Sequence, residues 1–445
     1  MFQEFQVSVT PLDRDRYLVR TENVAPGVPL AEEQVSWSVE EWLEEARQLM
    51  SAPLLQVFQG EDVPPSPIAL GQKLYDALFQ GSLRDSWITA QGIAHYQRSL
   101  LRLRLGLKGN LLPRLPWEVL HSGGSEGSSS CYRPLATGTD IAFSRHHTNG
   151  LVVNLTASFT GVRDRPLRIL MAIAGPSDRE SLDVQQEARY LQAELSQQGN
   201  ASGSAIELIL LANPGREELT QALEQGQYEV FHYAGHSNLG DSGGDIYLVN
   251  RTTELTETLS GEDLAGLLAN NGVQLAVFNS CRGADTALEL GNAAEGERNL
   301  ARALVKCGIP AVLAMAERIP DEVAKTLTRL FYRNLNQGYP IDLSLSRARQ
   351  GLIAAYGSNQ LYWALPVLYL HPKFNGMLME VVEEEALTEE LLGLSEADEI
   401  PLELLGGEDR LGLMDEGERD NDPEFLAPFE SLTESNGIKS DRAES

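Results

Sequence analysis

Residues 228–238 read YEVFHYAGHSN, and residues 273–285 read VQLAVFNSCRGAD. Each stretch is an apolar run of strand length that ends in a polar turn, and the turns begin at His236 and Cys281. Ligands of parallel α/β sheets bind where the strands end at their carboxyl edge. If the two strands are neighbours, an imidazole and a thiol therefore lie within reach of each other at one edge of the sheet.

The segments around these two strands alternate between β and α character from about Arg165 onward. Such alternation is typical of a doubly wound, mostly parallel sheet with helices on both faces. We predict this α/β core at residues 165–376, after a connecting segment at 141–164. The other predicted strands are PLRILMAIAGP, AIELILLANP, IPAVLAMA and ALPVLYLHP. The predicted helices are DVQQEARYLQAELSQQ, REELTQALEQG, GEDLAGLLANNG, ERNLARALVKCG, DEVAKTLTRLFYRNLNQG and DLSLSRARQGLIAAYG.

Residues 1–140 predict a mixed α+β region. FQEFQVSVTPL and DRYLVRTEN alternate like strands, and SVEEWLEEARQLM reads as an amphipathic helix opened by Ser38. ALGQKLYDALFQGSLRDSWITAQGIAHYQ predicts a second helical region. SLLRLRLGLKG alternates apolar and polar residues, which predicts a half-buried strand.

Most of the negative charge lies at the end of the chain. The 445 residues carry a formal net charge of −29, and from Glu380 onward 22 Asp and Glu residues outnumber 4 Lys and Arg residues. This balance disfavours nucleic acids and anionic membranes as partners. Residues 377–445 have poor periodicity and predict a disordered acidic tail, which fits either a partner-binding segment or a purely solubilising one.

Cysteine usage and hydropathy predict a soluble protein in a reducing, cytoplasmic compartment. Cys131, Cys281 and Cys307 are widely and irregularly spaced, unlike a disulfide framework or a zinc motif. We expect Cys307 to belong to the core. The N-terminus lacks a basic start followed by an apolar stretch, and no run of about 18 apolar residues is present.

A histidine and a cysteine at adjacent strand ends suit nucleophilic catalysis, because the histidine lowers the pKa of the thiol and later donates a proton. The backbone after His236 and the Cys281 amide are candidate donors to an oxyanion, and Asn279 and Ser280 could brace the turn. The alternative is a buried cysteine that only packs. His232 is most simply a core or supporting histidine. In a strand it lies about 13 Å from His236, and no third ligand follows at zinc spacing, so a metal site is disfavoured.

The motifs HYAGHSN, VFNSCRGADTA, CGIPAVLAMAER and WALPVLYLHP, in this order, closely resemble the CHAT domain over roughly residues 70–372. CHAT is a caspase-like, separase-related family of clan CD cysteine peptidases. LRLRLGLKGNLLPRLPWEVLH also looks like the segment that precedes the core in many bacterial members. The resemblance implies a caspase-type sheet and a cytoplasmic bacterial cysteine endopeptidase. Such an enzyme cuts protein substrates at a few sites without a cofactor or metal.

The resemblance also implies roles for individual residues. The second histidine of the family's HxxGHG motif falls on His236, and the cysteine of its N-x-C motif falls on Cys281. The backbone amides of Ser237 and Cys281 would then bind the oxyanion. Charged residues near the strand ends are candidates for a specificity pocket, and their mixed signs leave a basic or an acidic preference open. These residues are Asp178, Arg179, Arg282, Asp285 and Arg318.

Two departures from the family pattern matter. Ser237 stands where the family usually has glycine, and a positive φ at this position would be costly for serine. The TPR-like repeats that often precede the domain are not visible in the sequence, so the N-terminal region or the tail would recognise partners. The alternative function is therefore a weak or inactive caspase-like scaffold that binds a regulatory protein through one of these regions.

Overall fold

The structure is a computed structural model. It describes ten ranges of the chain, whose strands form two β-sheets. The ranges are residues 2–55, 66–122, 133–146, 165–179, 184–198, 206–238, 244–280, 300–301, 303–317 and 319–379.

The described strands are β1 (Phe2–Pro11), β2 (Arg16–Val24), β3 (Glu32–Ser36), β4 (Leu100–Leu107), β5 (Ile141–His146), β6 (Leu167–Ala174), β7 (Ile206–Ala212), β8 (Val230–Gly235), β9 (Ser237–Asn238), β10 (Asp245–Val249), β11 (Thr256–Ser260), β12 (Leu275–Ser280), β13 (Ala311–Met315) and β14 (Pro366–Leu370). Eleven of them form one sheet, in the order β3-β2-β1-β4-β5-β14-β13-β12-β8-β6-β7, and β11-β10-β9 form a second, small sheet. Most neighbours in the large sheet are parallel; the antiparallel pairs are β1 with β2, β2 with β3, and β13 with β14.

Helices cover both faces of the large sheet, as a doubly wound fold requires. The helices are α1 (Val39–Leu55), α2 (Pro67–Leu78), α3 (Gly81–Tyr96), α4 (Val184–Gln198), α5 (Arg216–Gln225), α6 (Gly261–Asn270), α7 (Asp321–Asn336) and α8 (Ile341–Tyr356). One apolar cluster joins the first face of the sheet to α1–α4, α7 and α8. A second cluster joins the other face to α5, α6 and the helical residues 300–301 and 303–306. Short 3-10 turns occur at Leu112–Arg114, Trp117–Val119, Leu135–Thr137 and Leu361–Ala364.

The predicted α/β class is confirmed, and the differences are local. The second helical region is two helices, because Phe79 and Gln80 leave the helical conformation before Gly81, with a φ of +48°, begins α3. The strands β3, β5 and β9–β11 were not predicted. The last strand, β14, runs antiparallel to β13 but parallel to β5.

The prediction of a half-buried β4 was wrong. Arg102 and Arg104 are each 1% exposed, because their side chains face ionic and carbonyl partners instead of water. Arg102 Nε lies 2.8 Å from Asp342 Oδ2, and Arg104 Nε lies 3.0 Å from Glu4 Oε2. Arg104 Nη2 also donates to the carbonyl of Phe374 at 2.9 Å. The polar positions of β4 are therefore ion-paired core positions.

Strand β5 connects the predicted N-terminal region to the predicted core. It lies between β4 and β14, so the boundary predicted near residue 140 falls within one continuous sheet. The guanidinium of Arg145 on β5 donates from Nε to Glu118 Oε1 at 2.9 Å, and both side chains are 1% exposed. Near the other end of the core, Leu378 is buried, and residues 380–445 lie outside the described ranges. Within the described ranges, no helix is both long enough and apolar enough to cross a membrane.

Candidate active site

Strands β8 and β12 are parallel neighbours in the large sheet. Their register pairs Gly235 with Ser280, the last residue of each strand. His236 follows Gly235 directly and is buried. The two strands that carry the predicted pair therefore end side by side at the same edge. Four predicted site residues, Cys281, Arg282, Asp285 and Arg318, lie outside the described residues.

The main chain of His236 is held by the small sheet and by Tyr233. Its carbonyl accepts a hydrogen bond from the Tyr247 amide at 3.1 Å and one from the Tyr233 hydroxyl at 2.6 Å. The same hydroxyl lies 2.7 Å from the Tyr247 carbonyl oxygen. Burial raises the pKa of Tyr233 far above its ordinary value. The hydrogen bond with the Tyr247 backbone acts to lower this pKa, but the effect of burial is larger. The hydroxyl therefore keeps its single proton, which it can donate to either of these two carbonyls but not to both at once.

Ser237 has a backbone conformation that serine adopts without strain. It lies in the extended strand β9 and pairs with Ile246 of β10. Among the residues that the structure describes, the non-glycine residues with positive φ are Arg98, Asn213 and Glu254. The backbone penalty expected from serine in place of glycine does not arise in this conformation.

A buried polar cluster lies between the sheet and helices α4 and α7. Glu187 Oε1 accepts hydrogen bonds from Asn279 Nδ2 at 2.7 Å and from Thr328 Oγ1 at 2.8 Å, and His232 Nε2 lies 3.4 Å from the same oxygen. His232 Nδ1 lies 3.0 Å from the Tyr332 hydroxyl. The cluster thus ties both site-bearing strands, β8 and β12, to two helices.

The charge of Glu187 is stabilised by its neighbours. Burial acts to raise the pKa of this carboxyl, but His232, Asn279 and Thr328 outweigh burial and hold the pKa below its ordinary value. Burial, reinforced by the negative charge of Glu187, raises the pKa of Tyr332. At neutral pH the cluster therefore contains a carboxylate that accepts from several donors.

The sequence analysis named His232 and Asn279 as supporting residues but missed Glu187 and Tyr332. A signal for Glu187 was present in the sequence, since it precedes Leu191 by one helical turn and so lies on the apolar face of α4. An acid on a core face needs buried partners. Nothing comparable marks Tyr332, whose aromatic ring fits an apolar helix face.

Two of the five specificity candidates are described, and both brace the small sheet. Asp178 Oδ1 accepts from the Thr256 amide at 3.0 Å and from its hydroxyl at 2.8 Å, and these bonds lower the pKa of Asp178. Arg179 donates from Nε to the Thr256 hydroxyl at 3.3 Å, and its guanidinium lies 4.6 Å from the centre of the Tyr247 ring. Both residues lie in the segment that follows β6, the neighbour of β8, and their side chains are exposed.

The expected burial of Cys307 was wrong. It is an exposed free thiol that directly follows the helical residues 303–306. Cys131 lies outside the described residues. No group of three His, Cys, Asp or Glu side chains within the described part of the chain could hold a metal ion.

The atoms around Gly235 leave no room for a side chain at this position. A Cβ atom there would lie 2.6 Å from the Tyr233 hydroxyl oxygen and 2.8 Å from the carbonyl oxygen of Ala174. Because the second contact is with the backbone of β6, we expect Gly235→Ala to lower the free energy of unfolding by about 1–3 kcal/mol. Urea denaturation measures this loss. Gly266→Ala is the matched control, since nothing lies within 4 Å of its added Cβ. Equal stability of Gly235→Ala and the unmodified protein would contradict the close packing.

Comparisons with known proteins add a family match and distant structural similarities. The model of the CHAT domain matches residues 69–370, a range that runs from α2 to β14 and contains both His236 and Cys281.

The chain is similar to the Arg-specific cysteine proteinase gingipain R, at 13% identity and a TM-score of 0.39, over 63% of this chain and 66% of that one. It is also similar to the complex of the pro- and mature domains of RgpB from Porphyromonas gingivalis, at 12% identity and a TM-score of 0.38, over 75% of this chain and 76% of that one. Similarity to the separase–securin complex of Saccharomyces cerevisiae has 14% identity and a TM-score of 0.33, over 75% of this chain and 22% of that one. Among curated proteins, no match to the chain was found.

Proposed function

Since this chain belongs to the CHAT domain family, we propose that it is a cysteine endopeptidase that cuts protein substrates with a dyad of His236 and Cys281. The observation that carries the proposal is the register of β8 and β12, which pairs Gly235 with Ser280. Parallel neighbours lie about 4.8 Å apart, and the residues that follow this pair in the chain are His236 and Cys281. A histidine and a cysteine with this spacing suit thiolate chemistry.

The proposed reaction follows from the two side chains. His236 removes the proton of the Cys281 thiol, and the thiolate attacks the carbonyl carbon of the substrate peptide bond. His236 then gives the proton to the leaving amine, and water hydrolyses the acyl-enzyme. The backbone amides of Ser237 and Cys281 would donate hydrogen bonds to the oxyanion. No step of this reaction calls for a metal or a cofactor.

The surroundings of the dyad support the same proposal. The extended backbone of Ser237 favours a peptidase over the inactive scaffold, because its conformation costs serine nothing. The buried cluster around Glu187 fixes the strands that lead to both residues. We assign the specificity pocket to charged residues at this sheet edge and place the enzyme in a bacterial cytoplasm, where its thiols stay reduced. The pocket candidates are Asp178, Arg179, Arg282, Asp285 and Arg318.

Alkylation of the folded protein with iodoacetamide across pH, read by mass spectrometry, tests the dyad. We expect Cys281 to react well below pH 8, because a neighbouring imidazolium stabilises the thiolate. Cys307 is the reference thiol in the same protein, because it is exposed and lies outside the proposed site. His236→Ala should remove the advantage of Cys281, whereas His95→Ala, an exposed histidine on α3, should leave it intact. A Cys281 that follows the pH profile of Cys307 would contradict the proposed dyad.

A further inference from the structure

We propose that Tyr233 positions the oxyanion donor of Ser237 through the peptide unit that joins His236 to Ser237. This inference rests on the proposed function, because it concerns the oxyanion of the proposed acyl transfer. Tyr233 does not touch the reacting atoms and is therefore a positioning residue.

The carbonyl of this peptide unit is fixed by two donors. The Tyr233 hydroxyl lies 2.6 Å from the His236 oxygen, and the Tyr247 amide lies 3.1 Å from it. The single hydroxyl proton has a second acceptor, the Tyr247 carbonyl oxygen, at the slightly longer distance of 2.7 Å. Tyr233 is fully buried in the core on one face of β8, where its ring lies 6.4 Å from that of Phe278 on β12. The hydroxyl therefore has little freedom to follow a rotation of the carbonyl.

Fixing the carbonyl also fixes the amide on the other side of the same peptide bond. A trans peptide unit is planar, so its C=O and N–H bonds point in opposite directions. The Ser237 N–H is consequently directed away from Tyr233 and from β10. Among the described strands, β9 is an edge strand of the small sheet, and its pairing with β10 uses the His236 carbonyl. The opposite edge of β9 is where the Ser237 N–H points.

The sequence around β8 is adapted to this contact. Gly235 lies between Tyr233 and His236, and any Cβ there would lie 2.6 Å from the Tyr233 hydroxyl oxygen. Burial keeps this hydroxyl protonated, so that it can donate to the carbonyl. Rotation of the peptide unit would break two hydrogen bonds in a buried environment, which makes the direction of the Ser237 N–H a rigid feature of the fold.

Two reactions of the Cys281 thiolate distinguish the positioning of the oxyanion donor by Tyr233 from the activation of the thiol by His236. In acylation by p-nitrophenyl acetate, the sulfur attacks the ester carbon, whose oxygen gains negative charge. The C–O bond to nitrophenolate then breaks, and nitrophenolate leaves with the electron pair. In alkylation by iodoacetamide, sulfur displaces iodide at a saturated carbon, and no oxyanion forms. A misdirected Ser237 N–H should therefore slow acylation alone.

The experiment measures both rates for Cys281 in the full-length chain, with nitrophenolate release for acylation and mass spectrometry for alkylation. We expect Tyr233→Phe to slow acylation about tenfold or more, while alkylation changes by less than about twofold. Tyr75→Phe is the matched control, since its hydroxyl accepts from Trp87 Nε1 at 3.1 Å within the N-terminal region. This control should leave both rates unchanged.

Several outcomes would overturn the inference. Acylation at the rate of the unmodified protein would show that Tyr233 does not direct the donor. An equal fall of both rates would assign Tyr233 to the dyad or to general stability instead. If Tyr233→Phe does not fold, Gly235→Ala displaces the same hydroxyl, and it should show the same selective loss of acylation. If Cys281 of the unmodified protein reacts with neither reagent faster than Cys307, the proposed function itself fails and takes this inference with it.

Discussion

Cys281→Ala is expected to lower the rate of peptide-bond cleavage by a factor on the order of 10⁴ or more. Alanine has no nucleophile, and the loss of covalent catalysis is not replaced by the oxyanion donors that remain. The measurement is cleavage of a mixed peptide library by the purified full-length protein, followed by mass spectrometry. The library contains both basic and acidic residues before the cut, because the charged pocket candidates have both signs.

The control for this experiment is the same substitution at a second cysteine, outside the proposed site. Cys307→Ala removes an exposed thiol that lies outside the proposed site, and we expect it to keep full activity. Cys281→Ala should keep the melting temperature of the unmodified protein within a few degrees, which separates lost chemistry from lost structure. Cleavage that continues unchanged in Cys281→Ala would reject the peptidase proposal in favour of another nucleophile or a contaminant.

Glu187→Ala is expected to lower the free energy of unfolding by about 3–5 kcal/mol. The substitution removes the acceptor of Asn279 and Thr328 and the carboxylate that lies 3.4 Å from His232 Nε2. It leaves these polar groups buried without their partner. Urea denaturation measures the loss. Glu224→Ala, an exposed glutamate of α5, is the control and should change stability by no more than about 0.5 kcal/mol. A similarly small effect of Glu187→Ala would show that the cluster contributes little to stability.

The pH dependence of this contribution has a definite sign. The pKa of Glu187 is lower in the folded protein than its ordinary value of 4.5. Its charge therefore stabilises the folded state above the unfolded pKa, and this stabilisation disappears as the pH falls through the folded pKa. The stability difference between the unmodified protein and Glu187→Gln should be constant near pH 7 and should shrink in acid below about pH 4.5. Unfolding curves between pH 7 and 3 check this, and a difference that grows in acid would contradict it.

The long apolar segments of the core were predictable because each has one strong periodicity. β8 and β12 are apolar runs bounded by turns, and α7 repeats its apolar residues at helical spacing. β11 was missed because four of its five residues are polar, whereas β10 is a short apolar run, DIYLV, that the sequence analysis overlooked. Strands of this length gain their stability from pairing, which sequence periodicity does not record.

The buried contacts of charged side chains could not be predicted from local sequence, because their partners are far apart in the chain. Arg102 meets Asp342 across 240 residues, so its alternation with leucines resembled a solvent-facing pattern. Glu187 meets Asn279 across 92 residues. In both pairs one residue gives no hint of the other. The proposed pair of His236 and Cys281 differs from these contacts, because a family motif marks each residue in the sequence.

The position of β14 determines when the large sheet can be completed during synthesis. It is the last strand of the described residues, yet it lies between β5 and β13 and joins β1–β5 to the strands β6–β8, β12 and β13 of the large sheet. Until residues 366–370 have left the ribosome, the two halves of the sheet are separate and each presents an open edge at this seam. Contacts of such long sequence separation form late and slowly. A nascent chain therefore carries His236 and Cys281 well before it can assemble the complete sheet that supports them.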